Sequence, residues 1–242
     1  MRKVDDVLSR LGRCLLTPTC LLCGEPGAQG RDLCRRCTEA LPWNRSACAR
    51  CGLPLPVSTP ACGACLARPP AFAATTAAFV YAFPLDRLLP RLKFHQDLAS
   101  GAVLSQVSAP AFADAERPDA LVPVPLHRAR LRQRGYDQAL ELCKPLARGL
   151  RLPLLGGWLQ RERATTAQSE LDARQRKRNL RGAFACRGMA DPPRHVALFD
   201  DVMTTGATVS AAVEALRAAG VARVDVWVLA RAPLVNTVRT PE

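Results

Sequence analysis

Eight cysteines near the N-terminus follow a spacing that limits what this part of the chain can fold into. They form C-x-x-C pairs, and within each set of four the two pairs are separated by ten residues. The second set repeats the first at an offset of 28 residues, which makes a chance arrangement implausible. The positions are Cys20, Cys23, Cys34, Cys37, Cys48, Cys51, Cys62 and Cys65. Two C-x-x-C turns complete one tetrahedral thiolate site, so the repeat predicts two structural Zn²⁺ sites.

Zinc also explains how this segment can fold, because residues 20–65 contain too little apolar material for a core of their own. The alternative is a disulfide-linked or redox-active cluster. The first residues lack the apolar stretch of a secretory signal, so we expect a cytoplasmic protein, in which structural disulfides are rare. The repeat favours sequential sites within each set, although a cross-braced arrangement joining the first pairs of the two sets stays open.

Beyond the cysteines the residue pattern of the chain changes. Pro69 and Pro70 indicate a linker, and strand-like and helix-like segments alternate from residue 75. Strands are expected at 75–83, 119–125, near 153–160, 194–200 and 223–230, a turn or short helix at 85–94, and helices at 137–150 and 207–220. This alternation predicts an α/β domain with a mostly parallel sheet flanked by helices. No apolar run approaches the length of a membrane span.

The expected organisation has three parts, which are a helix-like segment at 1–19, a double zinc ribbon at 20–66 and the α/β domain at 75–242. Positive charge concentrates in the middle of the chain. Residues 117–187 carry 16 Lys plus Arg against 6 Asp plus Glu, which is +10 of the formal net charge of +13. An anionic partner is therefore expected to meet this region, although a solvated basic face without a partner would look the same.

Two adjacent carboxylates, Asp200 and Asp201, follow an apolar strand and precede the small-residue loop T-T-G-A-T at 204–208. Parallel sheets bind ligands at the carboxyl ends of their strands. Backbone amides of such a loop suit a phosphate, whereas two carboxylates suit neutral hydroxyls or a hydrated divalent cation. A ribose 5-phosphate suits both parts of this segment, with its hydroxyls at the carboxylates and its phosphate at the loop. The alternative is an ordinary strand-to-helix connection whose acids cap the helix, which explains only one of the two.

The stretch VALFDDVMTTGATVS at 196–210 resembles the phosphoribosyl-pyrophosphate motif of type I phosphoribosyltransferases. Together with the segments 122–139 and 161–184, behind the double zinc ribbon, it makes nearly the whole chain similar to the ComF family of bacterial competence-related phosphoribosyltransferase-like proteins. The resemblance implies a type I phosphoribosyltransferase-like domain that binds phosphoribosyl pyrophosphate with Mg²⁺. It also implies a role in DNA uptake.

The resemblance implies roles for individual residues as well. Asp200 and Asp201 would contact the ribose hydroxyls at the centre of catalysis. The 5-phosphate would be held by Thr204, Thr205, Gly206, Ala207 and Thr208. Arg134 and Gly135 would belong to a loop that contacts the diphosphate, and Arg174 and Arg178 to the mobile hood loop.

Two positions depart from the patterns of the relatives. The family usually reads R-G-F-N-Q where this chain has Tyr136 and Asp137, which places a carboxylate near a site expected to hold diphosphate. Purine-salvage members of the wider superfamily often carry Asp where this loop has Thr204, so no proton acceptor for a base is evident.

Two functions are compatible with these features. The first is a Mg²⁺-dependent phosphoribosyltransferase with an unidentified acceptor. The second is a non-catalytic protein that senses a phosphoribosyl ligand while its ribbons and basic face bind single-stranded DNA or other competence proteins. Dedicated single-strand binders interleave aromatic residues with basic ones, and the basic middle offers few aromatics.

Overall fold

A computed structural model describes residues 18–94, 97–163, 180 and 182–233 of the chain. The protein divides into two compact units between Leu41 and Pro42. The first unit contains the first cysteine set, and the second unit contains the second set together with the α/β domain. The division falls inside the segment 20–66 that the sequence assigns to one double ribbon. The boundaries 1–19, 20–66 and 75–242 stay predictions.

Each cysteine set contains one short helix that starts directly after a cysteine. Helix α1 (Arg35–Glu39) has Cys34 as its N-cap, and helix α2 (Gly63–Ala67) has Cys62. The second cysteine of the pair then lies in the first helical turn, so both sulfurs of the pair face the same point.

The α/β domain consists of six strands and five helices in the described residues. The strands are β1 (Thr75–Val80), β2 (Ala120–Pro123), β3 (Leu159–Arg161), β4 (Phe184–Cys186), β5 (His195–Met203) and β6 (Arg223–Arg231). The helices are α3 (Leu85–Phe94), α4 (Leu98–Ala113), α5 (Arg128–Arg134), α6 (Gln138–Leu150) and α7 (Ala207–Ala218). Four strands form a parallel sheet in the order β1-β6-β5-β2, and β3 and β4 form an antiparallel pair. The predicted double ribbon and helix-flanked parallel sheet are therefore confirmed.

The two faces of the sheet bury different partners. Alternate residues of β5 and β6, such as Leu198 and Val226, join a core with Val213 of α7 and with the β3-β4 pair. On the other face Trp227 stacks on Phe112 of α4, with ring centroids 5.0 Å apart. The alternation of side chains along each strand explains this division.

The structure corrects one expectation for secondary structure, confirms another and adds helices that the sequence did not predict. The predicted strand near 153–160 is wrong in extent, since only Leu159–Arg161 forms a strand and it pairs antiparallel with β4. The predicted helix over 137–150 is confirmed, since α6 continues through Pro145 to Leu150. Helix α4 had no counterpart in the sequence predictions. Its residues are mostly small and apolar and are buried on several sides against α3, α6 and β1, so they lack the polar face that reveals a surface helix.

Strand β5 extends beyond its neighbour β2. The register pairs Pro123, the last residue of β2, with Phe199, and the Val124 amide donates to the Phe199 carbonyl at 2.8 Å. From Asp200 onwards the described pairing of β5 is with β6 alone. The two carboxylates therefore lie where the sheet opens on one side of β5.

Candidate functional site

The four sulfurs of each cysteine set converge, and all ligand atoms within a set lie within 4.8 Å of one another. Selected sulfur-sulfur distances are 3.7 Å for Cys23–Cys34, 3.7 Å for Cys51–Cys62 and 4.0 Å for Cys48–Cys65. A tetrahedron with Zn–S bonds of ~2.3 Å has edges of about 3.8 Å, so both sets fit Zn²⁺. The pairing is sequential, which decides between the two arrangements that the sequence left open.

Backbone amides prepare the cysteines for metal binding. The Cys37 amide donates to the Cys34 sulfur at 3.4 Å, and the Cys62 amide donates to the Cys48 sulfur at 3.1 Å. Burial raises the pKa of Cys48, but backbone hydrogen bonds from Cys51 and Cys62 outweigh it and lower the pKa to about 7. Since thiolate is the form that ligates metal, the lowered pKa of Cys48 favours metal binding at the second site. The ten cysteines in the described residues are all free of disulfides.

The turn of the second cysteine set is attached to the α/β domain through its backbone. The Ala49 carbonyl accepts from the Thr75 amide at 2.9 Å, and the Arg50 carbonyl accepts from the Thr75 hydroxyl at 2.7 Å. The guanidinium of Arg50 in turn donates to the Ala73 carbonyl at 2.7 Å. The second zinc site is therefore continuous with the edge strand β1.

The acidic pair lies on β5 just before the small-residue loop. Successive strand residues point to opposite faces, so Asp200 follows Leu198 towards the side of α7 and β3, and Asp201 follows Phe199 towards the side of α6. Each carboxylate accepts a hydrogen bond from the backbone amide of the next residue. The Asp201 amide donates to the Asp200 carboxylate at 2.9 Å, and the Val202 amide donates to the Asp201 carboxylate at 2.7 Å. A pocket above this end of the strand is lined by Asp200 and residues 202–209.

Helix α7 begins directly after the loop, and its N-cap is Gly206 with φ at 76°. Neither acid is therefore the N-cap residue, which argues against the capping explanation for the pair. A glycine N-cap brings no side chain to the first-turn amides, whereas Asp97 and Asp137 cap α4 and α6 with their carboxylates. Thr204 and Thr205 are exposed at the pocket. The start of α7 thus suits an anion.

Asp137, expected from the sequence to lie near the diphosphate, has a structural role. Its carboxylate accepts from the Leu126 amide at 2.6 Å and from the Leu140 amide at 3.2 Å, so it caps α6 and fixes the segment before α5. Burial raises its pKa, and the negative charge of Asp201 acts in the same direction. The neighbouring Tyr136 hydroxyl donates to the Leu92 carbonyl.

The predicted arginine positions are distributed over several parts of the chain. Arg134 is the last residue of α5, and Gly135 is its C-cap with φ at 83°. Their role as diphosphate contacts stays a prediction. Arg174 and Arg178 lie outside the described residues.

Arg161 is a site candidate that sequence reasoning missed. Its side chain is 9% exposed and its guanidinium lies 5.5 Å from the ring centroid of Phe184. Burial lowers its pKa, Arg130 acts in the same direction, and Asp200 opposes both. Strand β3 thus places Arg161 within electrostatic range of both Asp200 and Arg130 of helix α5. Only the local concentration of arginines in the sequence signals this cluster.

Arg231 is the second missed residue. It ends β6, pairs in register with Met203 of β5 and is 7% exposed. Its guanidinium donates to the carbonyl oxygens of Cys51 at 3.0 Å and of Thr204 at 2.6 Å. Burial lowers its pKa, and the cysteine thiolates of the second site act against that shift. A lone arginine at a strand end carries no sequence signal for such a role.

The chain is similar to several known proteins. A family model for the double zinc ribbon domain matches residues 11–66. Competence protein F from Haemophilus influenzae is 39% identical over 160 residues, which are 63% of this chain and 70% of that protein. DNA utilization protein YhgH from Escherichia coli is 37% identical over 219 residues, which are 88% of this chain and 96% of that protein.

One solved structure is also similar. Orotate phosphoribosyltransferase from Aeropyrum pernix shares 23% identity, covering 62% of this chain and 66% of its own, with a TM-score of 0.34. In the described parts of this protein, none of the helices has both the length and the apolar character needed to cross a membrane.

Proposed function

The chain belongs to the competence protein F (ComF) family, and from this premise we propose that its α/β domain binds phosphoribosyl pyrophosphate and is a phosphoribosyltransferase. The ligand site is the open end of β5 and the loop that leads into α7. We assign the protein to the cytoplasm, where reducing conditions keep the zinc cysteines as thiolates.

The observation that carries this proposal is the order of groups along one short segment. Two carboxylates lie where β5 loses a neighbour, and an exposed threonine loop with a glycine N-cap follows them. Carboxylates accept hydrogen bonds from hydroxyls, and backbone amides at the start of a helix donate to phosphate. A ribose that carries a 5-phosphate presents its hydroxyls to Asp200 and Asp201 and its phosphate to residues 204–208.

The proposed reaction breaks the bond between the anomeric carbon and the diphosphate, through an oxocarbenium-like state that an acceptor then attacks. The protein contributes by orienting the ribose and by stabilising the departing negative charge. Arg161, which lies within electrostatic range of both Asp200 and Arg130, is a described cation suited to that second task. Arg134, Gly135, Arg174 and Arg178 stay part of the proposal as diphosphate contacts.

Mg²⁺ is part of the proposal as a companion of the diphosphate. In the residues described, groups of three or more side chains that could hold a metal occur only in the two cysteine sets. Asp200 and Asp201 thus provide at most a partial site, which fits an ion that takes one or two carboxylates and completes its shell with phosphate oxygens and water. When bound, such an ion would neutralise charge on the diphosphate.

Calorimetry with phosphoribosyl pyrophosphate and Mg²⁺ tests the site. We expect the variants Asp200→Asn and Asp201→Asn to bind more weakly than wild type, since each amide keeps the shape but loses the charge. Asp191→Asn, at an exposed position that precedes β5, serves as the control. Equal affinity in all four proteins would remove the ribose assignment. Release of diphosphate with candidate acceptors would then separate an enzyme from a ligand sensor.

Nucleic-acid binding is a second candidate function, supported by helix α5. This helix carries Arg128, Arg130, Arg132 and Arg134 within seven residues, and Arg128 and Arg132 are exposed. The name of the YhgH relative refers to DNA utilization. If the basic face follows a phosphate backbone, affinity for single-stranded DNA falls steeply with added salt. Binding that ignores salt would contradict this candidate, and competence proteins would then be the partners to test.

A further inference from the structure

Three consecutive carbonyl groups in the turn of the second cysteine set are bonded to the α/β domain. Ala49 and Arg50 accept from Thr75, and Cys51 accepts from the Nε of Arg231 at 3.0 Å. Cys51 is also a ligand of the second zinc site. The direction of its carbonyl therefore depends on a turn whose conformation the metal fixes.

The other side of Arg231 faces the start of the ligand loop. Its Nη1 donates to the carbonyl oxygens of Met203 at 3.0 Å and of Thr204 at 2.6 Å. In a trans peptide the C=O of one residue and the N–H of the next point in opposite directions. Holding the Thr204 carbonyl on Arg231 therefore turns the Thr205 amide away from Arg231, and the Met203 carbonyl orients the Thr204 amide in the same way.

We infer that Arg231 is a positioning residue through which the second zinc site sets the direction of the loop amides. The metal at Cys51 and the ligand at residues 204–208 are then thermodynamically coupled. This inference rests on the proposed function for the identity of the ligand. It does not extend to the first cysteine set, which belongs to the other compact unit.

Coupling between two sites is reciprocal, so it can be measured from either side. Loss of Arg231 should weaken binding of phosphoribosyl pyrophosphate by about 5- to 150-fold, which is the usual range for coupled sites. Saturation with the same ligand should tighten Zn²⁺ at the second cysteine site, and Zn²⁺ bound there should tighten the ligand by the same factor.

The first experiment uses the full chain and calorimetry with phosphoribosyl pyrophosphate and Mg²⁺. We expect weaker binding in Arg231→Met, partial recovery in Arg231→Lys, and unchanged binding in Arg223→Met. Arg223 is a suitable control because it lies at the opposite end of the same strand and pairs with Glu116 and Asp225. Partial recovery by lysine separates a lost donor from general damage to the fold.

The second experiment is a zinc competition with a chelator, with and without phosphoribosyl pyrophosphate. The ligand should protect one zinc per chain in wild type and none in Arg231→Met. Cys51→Ser should lower ligand affinity more than Cys23→Ser, its counterpart in the first set. Should Cys51→Ser not fold, the Arg231 variants with both metals retained still decide the question.

The outcomes separate the two proposals. The coupling is overturned if wild type binds the ligand no more tightly than Arg231→Met and if zinc affinity does not depend on the ligand. The proposed ligand site is unaffected by that result. Wild type that binds no phosphoribosyl pyrophosphate overturns the proposed function, and the coupling with it.

Discussion

A Cβ atom on Gly52 would lie 2.8 Å from Cγ2 of Thr75, closer than real Cβ contacts allow. Gly24, the counterpart of Gly52 in the first cysteine set, would place its Cβ with nothing within 4 Å. Both glycines have positive φ, 67° and 78°, as the tight turn after each C-x-x-C pair requires. A glycine therefore closes the turn in both cysteine sets, but only Gly52 also permits close packing on strand β1.

We expect Gly52→Ala to destabilise the protein more than Gly24→Ala. Both variants carry the same backbone strain, and only Gly52→Ala adds an overpacked contact, which costs about 1–3 kcal/mol. Unfolding free energies from urea titration would measure the difference. Equal destabilisation by the two variants would mean that the contact with Thr75 relaxes without cost.

The zinc pairing predicts different metal contents for two double variants. Metal analysis of wild type should give about two Zn²⁺ per chain. Cys20→Ser with Cys34→Ser removes two ligands of one sequential site and should leave about one Zn²⁺ per chain. Cys20→Ser with Cys48→Ser damages both sites and should leave none. A cross-braced arrangement would reverse these two results.

Asp137 predicts a dependence of stability on pH. Burial raises its pKa in the folded protein from the ordinary value of 3.8, so the folded state binds the proton more readily than the unfolded chain. Its contribution to stability is therefore greatest at low pH and is lost as the pH rises through the raised pKa. The unfolding free energy of Asp137→Asn relative to wild type should shift in favour of the variant between pH 4 and pH 7.

Asp137→Ala is the control for this measurement. Alanine removes both acceptors, so the Leu126 amide loses its bond and α6 loses its cap, at a cost of about 1–2 kcal/mol relative to Asn. That cost should appear at every pH. A difference between Asp137→Asn and wild type that does not change with pH would contradict the raised pKa.

Arg161 should contribute to ligand binding through the diphosphate. We expect Arg161→Met to weaken the binding of phosphoribosyl pyrophosphate by about 1.5–3 kcal/mol, the usual value of a hydrogen bond to a charged group. The affinity for ribose 5-phosphate, which lacks the diphosphate, should fall much less in the same variant. Arg163→Met, two residues further and exposed, is the matched control. Equal losses for both ligands would assign Arg161 to the fold of β3 and β4 instead.

Much of the fold follows from patterns that are local in sequence. The alternation of apolar strands with helices located β1, β2, β5, β6 and α7 close to their observed bounds. The sequence did not predict helix α4, because burial on several sides removes the amphipathic pattern of apolar and polar residues. The capping and bracing role of Asp137 was not predicted because its carboxylate accepts from the Leu126 amide, eleven residues earlier, and no local pattern encodes that bond.

The sequence by itself determined the two cysteine sites and predicted where the acidic pair and the threonine loop lie. The spacing of eight cysteines specified two thiolate sites, and the order of Asp200, Asp201 and the threonine loop specified a strand-end site, because residues close in the chain must be close in space. Only the tertiary structure decided which cysteines share a metal, that Arg161 lies near Asp200, and that Arg231 joins Cys51 to Thr204. Those relationships connect residues up to 180 positions apart, and packing rather than local spacing brings them together.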